Sequence, residues 1–263
     1  MKKSLQNLPA ISVITPSLNQ GRHIEKTIKS VLDQKYPNLE YIIMDGGSKD
    51  NTLSVLKKYQ KQLFWYSGND KGQSNAINKG LKKSKREILC FLNSDDYLLP
   101  GTLHKISGYF LKNKDAVWLT GKCRIVDENN NEVRKFITQY KNFFLKYLRF
   151  WNIFTVVQFI SQPATFWRRS AVESVGYFDE SLNYDMDYDY WLRIWQKYPL
   201  GYIDDYLSSY RVHKDSKAVV SPETQFKIEN EIVRKYQKNI FFLFLHHLHT
   251  SVSLLIYRNY LIK

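Results

Sequence analysis

Between residues 11 and 96, short apolar runs rich in β-branched residues alternate with stretches of helical periodicity, and this alternation constrains the fold most. The apolar runs lie at 11–16, 41–44, 64–66 and 87–92, and a short polar loop follows each of them. Strands that alternate with helices in this way are typical of βαβ units in a parallel sheet. We therefore predict an α/β fold, and because βαβ crossovers are right-handed, the loops should collect at one edge of the sheet.

The fourth apolar run delivers two adjacent carboxylates, Asp95 and Asp96, to its carboxyl end. In an open parallel sheet this edge is where ligands bind. Carboxylate oxygens suit Mg²⁺ or Mn²⁺, and such a metal suits a diphosphate. The alternative is that the two acids cap a helix that begins near Pro100.

Two other strand ends also carry acidic loops. Asp45-Gly-Gly-Ser48 follows the second run, where glycines allow close backbone approach and the acid can accept hydrogen bonds from a ribose or a base. The loop 70–75 follows the third run. Taken alone, the first is equally a tight turn and the second a helix cap by Ser74. Since the predicted topology gathers the loops, we expect them to form one site.

After Pro100 the pattern is less regular. Helical spacing recurs at 103–110 and 187–197, and an apolar run at 117–119 indicates a strand. The segment from Cys123 to Phe136, with three asparagines at 129–131, resembles a β-hairpin.

Longer motifs at these positions resemble those of the family 2 glycosyltransferases, which are inverting enzymes of the GT-A fold. The likeness rests on residues 15–19 (TPSLN), 45–48 (DGGS), 70–80 (DKGQSNAINKG), 92–96 (LNSDD), 162–166 (QPATF), 176–179 (GYFD), 187–193 (DYDYWLR) and 210–213 (YRVH). It covers about residues 9–216 in the family's order. The resemblance implies a GT-A domain at 1–216, with a nucleotide-sugar half at 1–100 and an acceptor half at 101–216. A helical tail at 217–263 lies outside it.

The resemblance implies a pocket for a nucleotide-sugar, with a UDP-sugar as the expected donor. Asp45 would contact the uracil, and Asp70 with Lys71 would sit close by. The full set of donor-binding residues implied in this way is Thr15, Pro16, Ser17, Asn19, Asp45, Gly46, Asp70, Lys71, Gly72, Asn75, Asn93, Ser94 and Asp95.

The resemblance also implies a divalent metal, Mn²⁺ or Mg²⁺, which would neutralise charge on the departing diphosphate. Asn93-Ser94-Asp95 occupies the place of the family's Asp-X-Asp motif, with Asn in place of the first acid. Asp95 and Asp96 are therefore both metal candidates, and which of them binds stays open. His213 matches a family histidine that helps to hold the metal or the diphosphate; alone, it would be taken for a surface-loop histidine.

An inverting transfer is a single displacement, so the acceptor hydroxyl loses a proton as it attacks, and a nearby carboxylate can take that proton. The resemblance places this base at Asp187, in the second position of a family Glu-Asp pair whose first position is here Met186. The alternative is an acidic helix N-terminus favoured by the helix dipole. We favour that alternative for Asp185 and Asp189.

A net charge of +14 calls for an anionic partner. Between 134 and 149, five basic residues and no acidic one alternate with aromatic side chains, and the stretch 241–261 is strongly apolar with polar interruptions. Contact with nucleic acid, with an anionic membrane, or with the core or a second copy would each explain this texture. We predict a membrane surface and no nucleic acid, because a sugar transferase commonly faces a lipid-pyrophosphate acceptor, and we leave homo-oligomers open.

Together these features predict metal-dependent, inverting transfer of a hexose to a lipid-linked glycan, in bacterial polysaccharide or O-antigen synthesis. Residues 4–10 lack the apolar core of a signal peptide, and Cys90 and Cys123 read as core thiols, so we expect the cytoplasmic face of the membrane. The rival interpretation is a non-catalytic basic protein that binds nucleic acid or membrane. Carboxylates such as Asp95 and Asp187 argue against it, because a binder of polyanions gains nothing from them.

Overall fold

The computed structural model describes residues 8–214, 216 and 221–258. Eight strands form one sheet in the order β3-β2-β1-β4-β7-β6-β8-β5. Their bounds are β1 Ile11–Ser17, β2 Leu39–Asp45, β3 Phe64–Ser67, β4 Ile88–Phe91, β5 Tyr97–Leu98, β6 Trp118–Val126, β7 Thr165–Arg168 and β8 Gly201–Arg211. Strands β1 to β4 pair in parallel, β6 is parallel to β8, and β7 and β5 run antiparallel to their neighbours. The α/β prediction is confirmed.

Helices flank this sheet and continue into the tail. Their bounds are α1 Ile24–Leu32, α2 Thr52–Tyr59, α3 Gln73–Lys83, α4 Thr102–Lys112, α5 Lys135–Tyr147, α6 Trp151–Phe154, α7 Arg169–Val175, α8 Met186–Trp195, α9 Pro222–Tyr236 and α10 Ile240–Ile256. A 3₁₀ turn at Gln162–Ala164 leads into β7. Among the described residues, no helix is both long enough and apolar enough to cross a membrane.

Strands β1 and β4 and residues 41–45 of β2 are buried on both faces, which is why they are continuous apolar runs, whereas the edge strand β3 is partly exposed. All seven residues of β1 are buried, and the strand continues one residue past Pro16. Helix α3 packs closely on β1 at Gly80, where an added Cβ would lie 2.4 Å from a methyl carbon of Ile14. This close approach holds the second half of α3 against the sheet.

The predicted hairpin over Cys123–Phe136 is confirmed only in part: the turn at 129–131 forms, but its second strand is very short. Cys123 lies within β6, whose partner along this stretch is β8. The chain does turn back after Val126, but in the described residues the return is a single bridge from Val126 to Glu132, and α5 begins at Lys135. The returning chain lies on the edge of β6 opposite β8, because the Val133 N–H donates to the Ile125 carbonyl while the Val126 carbonyl accepts from the Val212 N–H. The return is short because α5 begins at Lys135, and the aromatic spacing of 136–147 is helical.

The tail begins with α9, which packs on α8, and ends with α10. The predicted boundary between residues 216 and 217 adjoins residues outside the described part of the chain. Residues 259–263 and residues 1–7, which include part of the stretch 4–10, also lie outside it. Cys90 and Cys123 are both buried free thiols.

Candidate active site

The loops that follow β1, β2, β3 and β4 lie together, as the topology predicts. Gly46 donates its backbone N–H to the Ser17 carbonyl at 2.8 Å. The Asn19 N–H donates to Ser48 Oγ at 2.7 Å, and Gln73 Nε2 donates to Asn93 Oδ1 at 2.8 Å. Each loop is therefore hydrogen-bonded to the next across the carboxyl edge of the sheet.

Asp45 is buried and organises its own loop. Its Oδ2 accepts hydrogen bonds from the backbone N–H groups of Gly47 and Ser48 and from Ser67 Oγ, and its Oδ1 accepts from Ser48 Oγ. Gly47 has φ +87°, a conformation that favours glycine. Both carboxylate oxygens of Asp45 are thus engaged in shaping the turn that we expected to contact the uracil.

The loop 70–75 begins with an acid that lies against the Asp45 loop. A Cβ added at Gly46 would lie 2.8 Å from Asp70 Oδ2, so glycine is what permits this approach. Asp70 Oδ1 accepts from the N–H of Gly72, which has φ +106°. Lys71 is exposed, while Asn75 accepts from the Lys71 N–H and donates to Glu180 Oε2 at 2.8 Å.

The four donor-site residues predicted from β1 differ in exposure. Thr15, Pro16 and Ser17 are buried, and Thr15 Oγ1 lies 3.2 Å from the Tyr41 hydroxyl inside the sheet. Asn19 is exposed with φ +53°, and its side-chain oxygen accepts from the Lys49 N–H. Asn19 is therefore the member of this set whose side chain reaches the open face.

The loop after β4 separates the roles of its two acids. Asp96 is fully buried, its Oδ1 accepts from the Arg211 N–H at 2.9 Å, and its Oδ2 lies 3.3 Å from Asn93 Nδ2. Burial, and then the neighbouring Asp95 charge, raises the pKa of Asp96 well above its usual value. Thr27 Oγ1 on α1 hydrogen-bonds the carbonyls of Ser94 and Asp96, which anchors the loop.

Asp95 faces His213 rather than the core. Asp95 Oδ2 and His213 Nε2 lie 3.0 Å apart, and the Asp95 side chain keeps partial access to solvent. Two ligands of one octahedral ion, each about 2.1 Å from it, are about 3 Å apart, so this pair fits a shared divalent cation. We call Asp95, Asp96 and His213 the metal end of the site.

Three residues at the metal end were not predicted. The buried Arg211 donates from Nε to the Asp95 carbonyl and from Nη1 to the carbonyls of Asp127 and Glu128. His23 stacks on His213 with ring centroids 5.0 Å apart, and His23, Glu128 and His213 offer ligand atoms within 4.8 Å of one another. Burial, then His213 and Arg211, lower the pKa of His23. Arg211 lies inside the 210–213 motif, so the sequence offered a signal for it, whereas His23 and Glu128 belong to no motif.

The predicted base, Asp187, lies in the first turn of α8. The preceding Met186 is buried against Ser74 of the loop 70–75, which brings the start of α8 beside the donor loops. Asp189 has a structural role: its Oδ2 forms an ion pair with Arg193 at 2.9 Å, and its Oδ1 accepts from the Tyr236 hydroxyl at 2.6 Å.

Two further charged residues, Lys141 and Glu229, lie near Asp187. Asp187 interacts electrostatically with Asp185, with Lys141 of α5 and with Glu229 of α9. We call these four residues the base end. Lys141 and Glu229 were not predicted as site residues, because nothing in their local sequence marks them.

The family model "Glycosyl transferase family 2" matches residues 12–176, more than half of the 263 residues. The chain belongs to glycosyltransferase family 2. The resemblance inferred from the motifs is thereby confirmed, and membership favours a transferase over a non-catalytic binding protein.

Curated relatives share the core of the chain. An uncharacterized glycosyltransferase of Rickettsia typhi is 28% identical over 78% of this chain and 64% of its own length. A putative teichuronic acid biosynthesis glycosyltransferase of Bacillus subtilis is 35% identical over 49% of this chain and 52% of its own. A poly-beta-1,6-N-acetyl-D-glucosamine synthase of Staphylococcus epidermidis is 26% identical over 69% and 45%. The matched region is therefore less than two thirds of each of these relatives.

Solved structures share the fold. S. aureus TarS in complex with UDP-GlcNAc matches with a TM-score of 0.65 and 22% identity, over 85% of this chain and 65% of its own. The mannosyltransferase PcManGT from Pyrobaculum calidifontis, in complex with GDP-Man and Mn²⁺, matches with a TM-score of 0.69 and 16% identity, over 97% and 77%. At these identities the likeness shows the GT-A fold.

Proposed function

We propose that the protein transfers a hexose from a nucleotide-sugar to a hydroxyl of a glycan acceptor, with inversion, in the synthesis of a bacterial surface polysaccharide such as O-antigen. The observation that carries the proposal is the pairing of Asp95 Oδ2 with His213 Nε2 at 3.0 Å, on the sheet edge where the donor loops meet. Asp187 lies beside the same loops through Met186 and Ser74.

The donor would bind across the loops after β1, β2 and β3. Asn19 and Lys71 offer exposed polar groups there, while Asp45 holds the backbone of its turn in place for the nucleobase. The TarS complex contains UDP-GlcNAc and the PcManGT complex contains GDP-Man, so both nucleotide classes are known on this fold. We propose UDP for this chain.

A divalent ion, Mn²⁺ or Mg²⁺, would be held by Asp95 and His213, because these two groups are already at ligand spacing. Asp96 would not bind it directly, since both of its oxygens are engaged inside the protein. Its task would be to hold the loop that presents Asp95. When bound, the ion would supply positive charge beside the diphosphate that leaves.

Asp187 would act as the general base. Its carboxylate would accept the proton of the acceptor hydroxyl as the oxygen attacks the anomeric carbon and the bond to the nucleotide diphosphate breaks. The proton ends on Asp187 and the electron pair of the broken bond on the diphosphate. Asp185 is too deeply buried for this task, and Asp189 is occupied by Arg193 and Tyr236.

The acceptor would be lipid-linked and reached at the inner face of the cell membrane. Helix α5 exposes Phe136, Tyr140, Phe143 and Tyr147, and α10 exposes a row of apolar side chains from Ile240 to Ile256. The Tyr140 ring stacks on His249 of α10 with centroids 6.2 Å apart, which joins the two helices into one surface. Aromatic rings interleaved with basic residues fit an anionic lipid surface.

Thermal unfolding with nucleotides and nucleotide-sugars, with and without Mn²⁺, tests the donor site. A ligand that binds the folded state raises the melting temperature by mass action. We expect UDP or one UDP-sugar to raise Tm only when Mn²⁺ is present. A shift with GDP compounds alone would show that the donor is a GDP-sugar and not a UDP-sugar. No shift with any nucleotide would overturn the proposal.

Flotation with phosphatidylserine-containing vesicles tests the membrane surface. The double variant Phe143→Ser with Tyr147→Ser removes two exposed rings and should lower the bound fraction without changing Tm. Leu111→Ser, at an exposed position on α4, is the matched control and should float like the wild type. Equal flotation of all three proteins, or tighter retention on DNA than on vesicles, would contradict the membrane assignment.

A further inference from the structure

Helix α9 lies beyond the region matched by the family model, yet it is fastened to the helix that carries Asp187. Gln225 Nε2 donates to Asp185 Oδ1 at 3.0 Å, and the Tyr236 hydroxyl donates to Asp189 Oδ1 at 2.6 Å. The two hydrogen bonds involve the acids on either side of Asp187. The tail therefore takes part in building the surroundings of the proposed base.

Glu229 lies on the buried face of α9, one turn after Gln225, and is only 4% exposed. Residues four apart share a helix face, so the face that reaches Asp185 also carries Glu229 towards α8. Its carboxyl group interacts electrostatically with Asp185 and Asp187, and with Lys141, which comes from α5. Three helices far apart in sequence thus bring three carboxyl groups and one ammonium group together.

Burial and mutual repulsion raise the proton affinity of two of these carboxyl groups. Burial, then Glu229 and Asp187, raise the pKa of Asp185 well above its usual value, and Asp185 Oδ2 is buried without a hydrogen-bond partner. Burial raises the pKa of Glu229 to about 7, with Lys141 opposing the shift and Asp187 adding to it. The charge of Glu229 therefore changes near neutral pH.

We propose that Glu229 is a positioning residue for the reaction: its ionised carboxylate, balanced by Lys141, increases the proton affinity of Asp187. Two neighbouring acids titrate as a pair, so a charge on one strengthens the other as a base. The inference rests on the proposed role of Asp187 as the base. It gives the tail helix α9 a part in catalysis without contact with the substrate.

Charged and titratable groups near Glu229 and Lys141 come from the several helices and the strand that surround these two residues. They are Lys141 on α5, Asp185, Asp187 and Tyr188 on α8, Tyr257 after α10, and, next to Lys141, Cys123 on β6 and His249 on α10. Burial raises the pKa of Tyr188 and Tyr257 and lowers that of His249, so these three stay neutral near pH 7.

The kinetic test compares Glu229→Gln with the wild type across pH, with UDP release as the readout. At pH 5.5 Glu229 is protonated, so the kcat values should agree. At pH 8.5 the wild type should be about threefold to tenfold faster, with a midpoint near pH 7 and an unchanged donor KM. Glu229→Asp should restore the pH-dependent step, and Glu231→Gln, at an exposed position on the same helix, should behave as wild type.

Lys141→Met removes the positive charge beside Glu229 and so tests the pair from the other partner. Without the ammonium group, Glu229 ionises less readily, so the midpoint of the pH-dependent step should move to higher pH. A wild-type to Glu229→Gln ratio that is the same at every pH would overturn the inference, because a merely structural loss has no midpoint.

A stability measurement separates this inference from the proposed function. A carboxyl group whose folded pKa is raised above its ordinary value of 4.5 contributes stability below that value and loses it as pH rises through about 7. The Tm of Glu229→Gln minus that of the wild type should therefore grow between about pH 4.5 and 7 and then level off. In an Asp187→Asn background the levelling point should move to lower pH.

These outcomes are distinguishable. If no nucleotide-sugar is turned over, the proposed function fails, while the Tm difference still reports whether Glu229 and Asp187 are coupled. If Asp187→Asn leaves the levelling point where it was, the inference fails, while transferase activity that depends on Asp187 still stands.

Discussion

At the metal end, Asp95 and Asp96 lie in one short loop after β4, whereas at the base end the charged groups come from α5, α8 and α9. At the metal end, the Arg211 N–H of β8 donates to the Asp96 carboxylate and the Thr27 hydroxyl of α1 donates to the Asp96 carbonyl. The base end is fixed by helix packing, with α9 held on α8 through Gln225 and Tyr236. The same residue type, aspartate, is thus held at the sheet edge mainly by bonds of a strand and a sheet-flanking helix, and at the base end by side chains of the tail helix.

The difference predicts how each end responds to change. Substitutions at the metal end should alter metal and donor binding and leave the pH dependence of the base alone. Substitutions at the base end should change turnover or stability and leave nucleotide binding alone. The following predictions test this separation, from the largest effect to the smallest.

Asp187→Asn should produce the largest loss. Removing the proposed base should lower UDP release from the donor by about 10²-fold to 10⁴-fold, because an amide does not accept the proton. The UDP-dependent rise in Tm should be unchanged, since the metal end is intact. Asp115→Asn, at an exposed position after α4, is the control. An Asp187→Asn enzyme as active as this control would end the assignment.

Asp95→Asn and Asp96→Asn should differ from one another. Asp95→Asn removes an anionic ligand, so the Mn²⁺ concentration needed for the UDP-dependent rise in Tm should increase on the order of 10-fold to 100-fold. Asp96→Asn should change it little. Burial and the Asp95 charge raise the pKa of Asp96, which lowers the cost of a neutral replacement, and the amide oxygen still accepts from the Arg211 N–H. The reverse order of effects would exchange the roles of the two acids.

The sequence pattern placed the two acids of the metal end more directly than it placed the charged groups of the base end, for a physical reason. Asp95, Asp96 and the donor loops follow strands directly, and parallel strands bring their carboxyl ends to one edge whatever the rest of the chain does. Glu229 and Lys141 are 88 residues apart, and only tertiary packing joins them to Asp187. The hairpin expected at 123–136 shows the same limit: the local turn forms, but the main partner of β6 along this stretch is β8, which lies far along the chain.

Asp189→Asn tests how the base end is built. Asp189 holds both Arg193 and, through Tyr236, the end of α9. Arg193 keeps a bond to the Val175 carbonyl and some exposure, so we expect a loss of about 2 kcal/mol, below that of a fully buried pair. This corresponds to a Tm decrease of roughly 4–8 °C in a chain of this size. The Mn²⁺ dependence of UDP binding should not change; if it does, the two ends are not separate.

Thr27→Val should give the smallest effect, and at the metal end only. The Thr27 hydroxyl lies 2.9 Å from the Ser94 carbonyl and 2.6 Å from that of Asp96, and valine keeps the shape without the donor. One lost hydrogen bond costs about 1 kcal/mol, a decrease of roughly 2–4 °C in Tm. Because the loop that presents Asp95 loses an anchor, the Mn²⁺ requirement should rise slightly while the pH profile of kcat stays as in the wild type. Thr27→Ser keeps the hydroxyl and should retain the wild-type Mn²⁺ requirement. A Thr27→Val enzyme with an altered pH profile would show that the loop after β4 also acts on the base end.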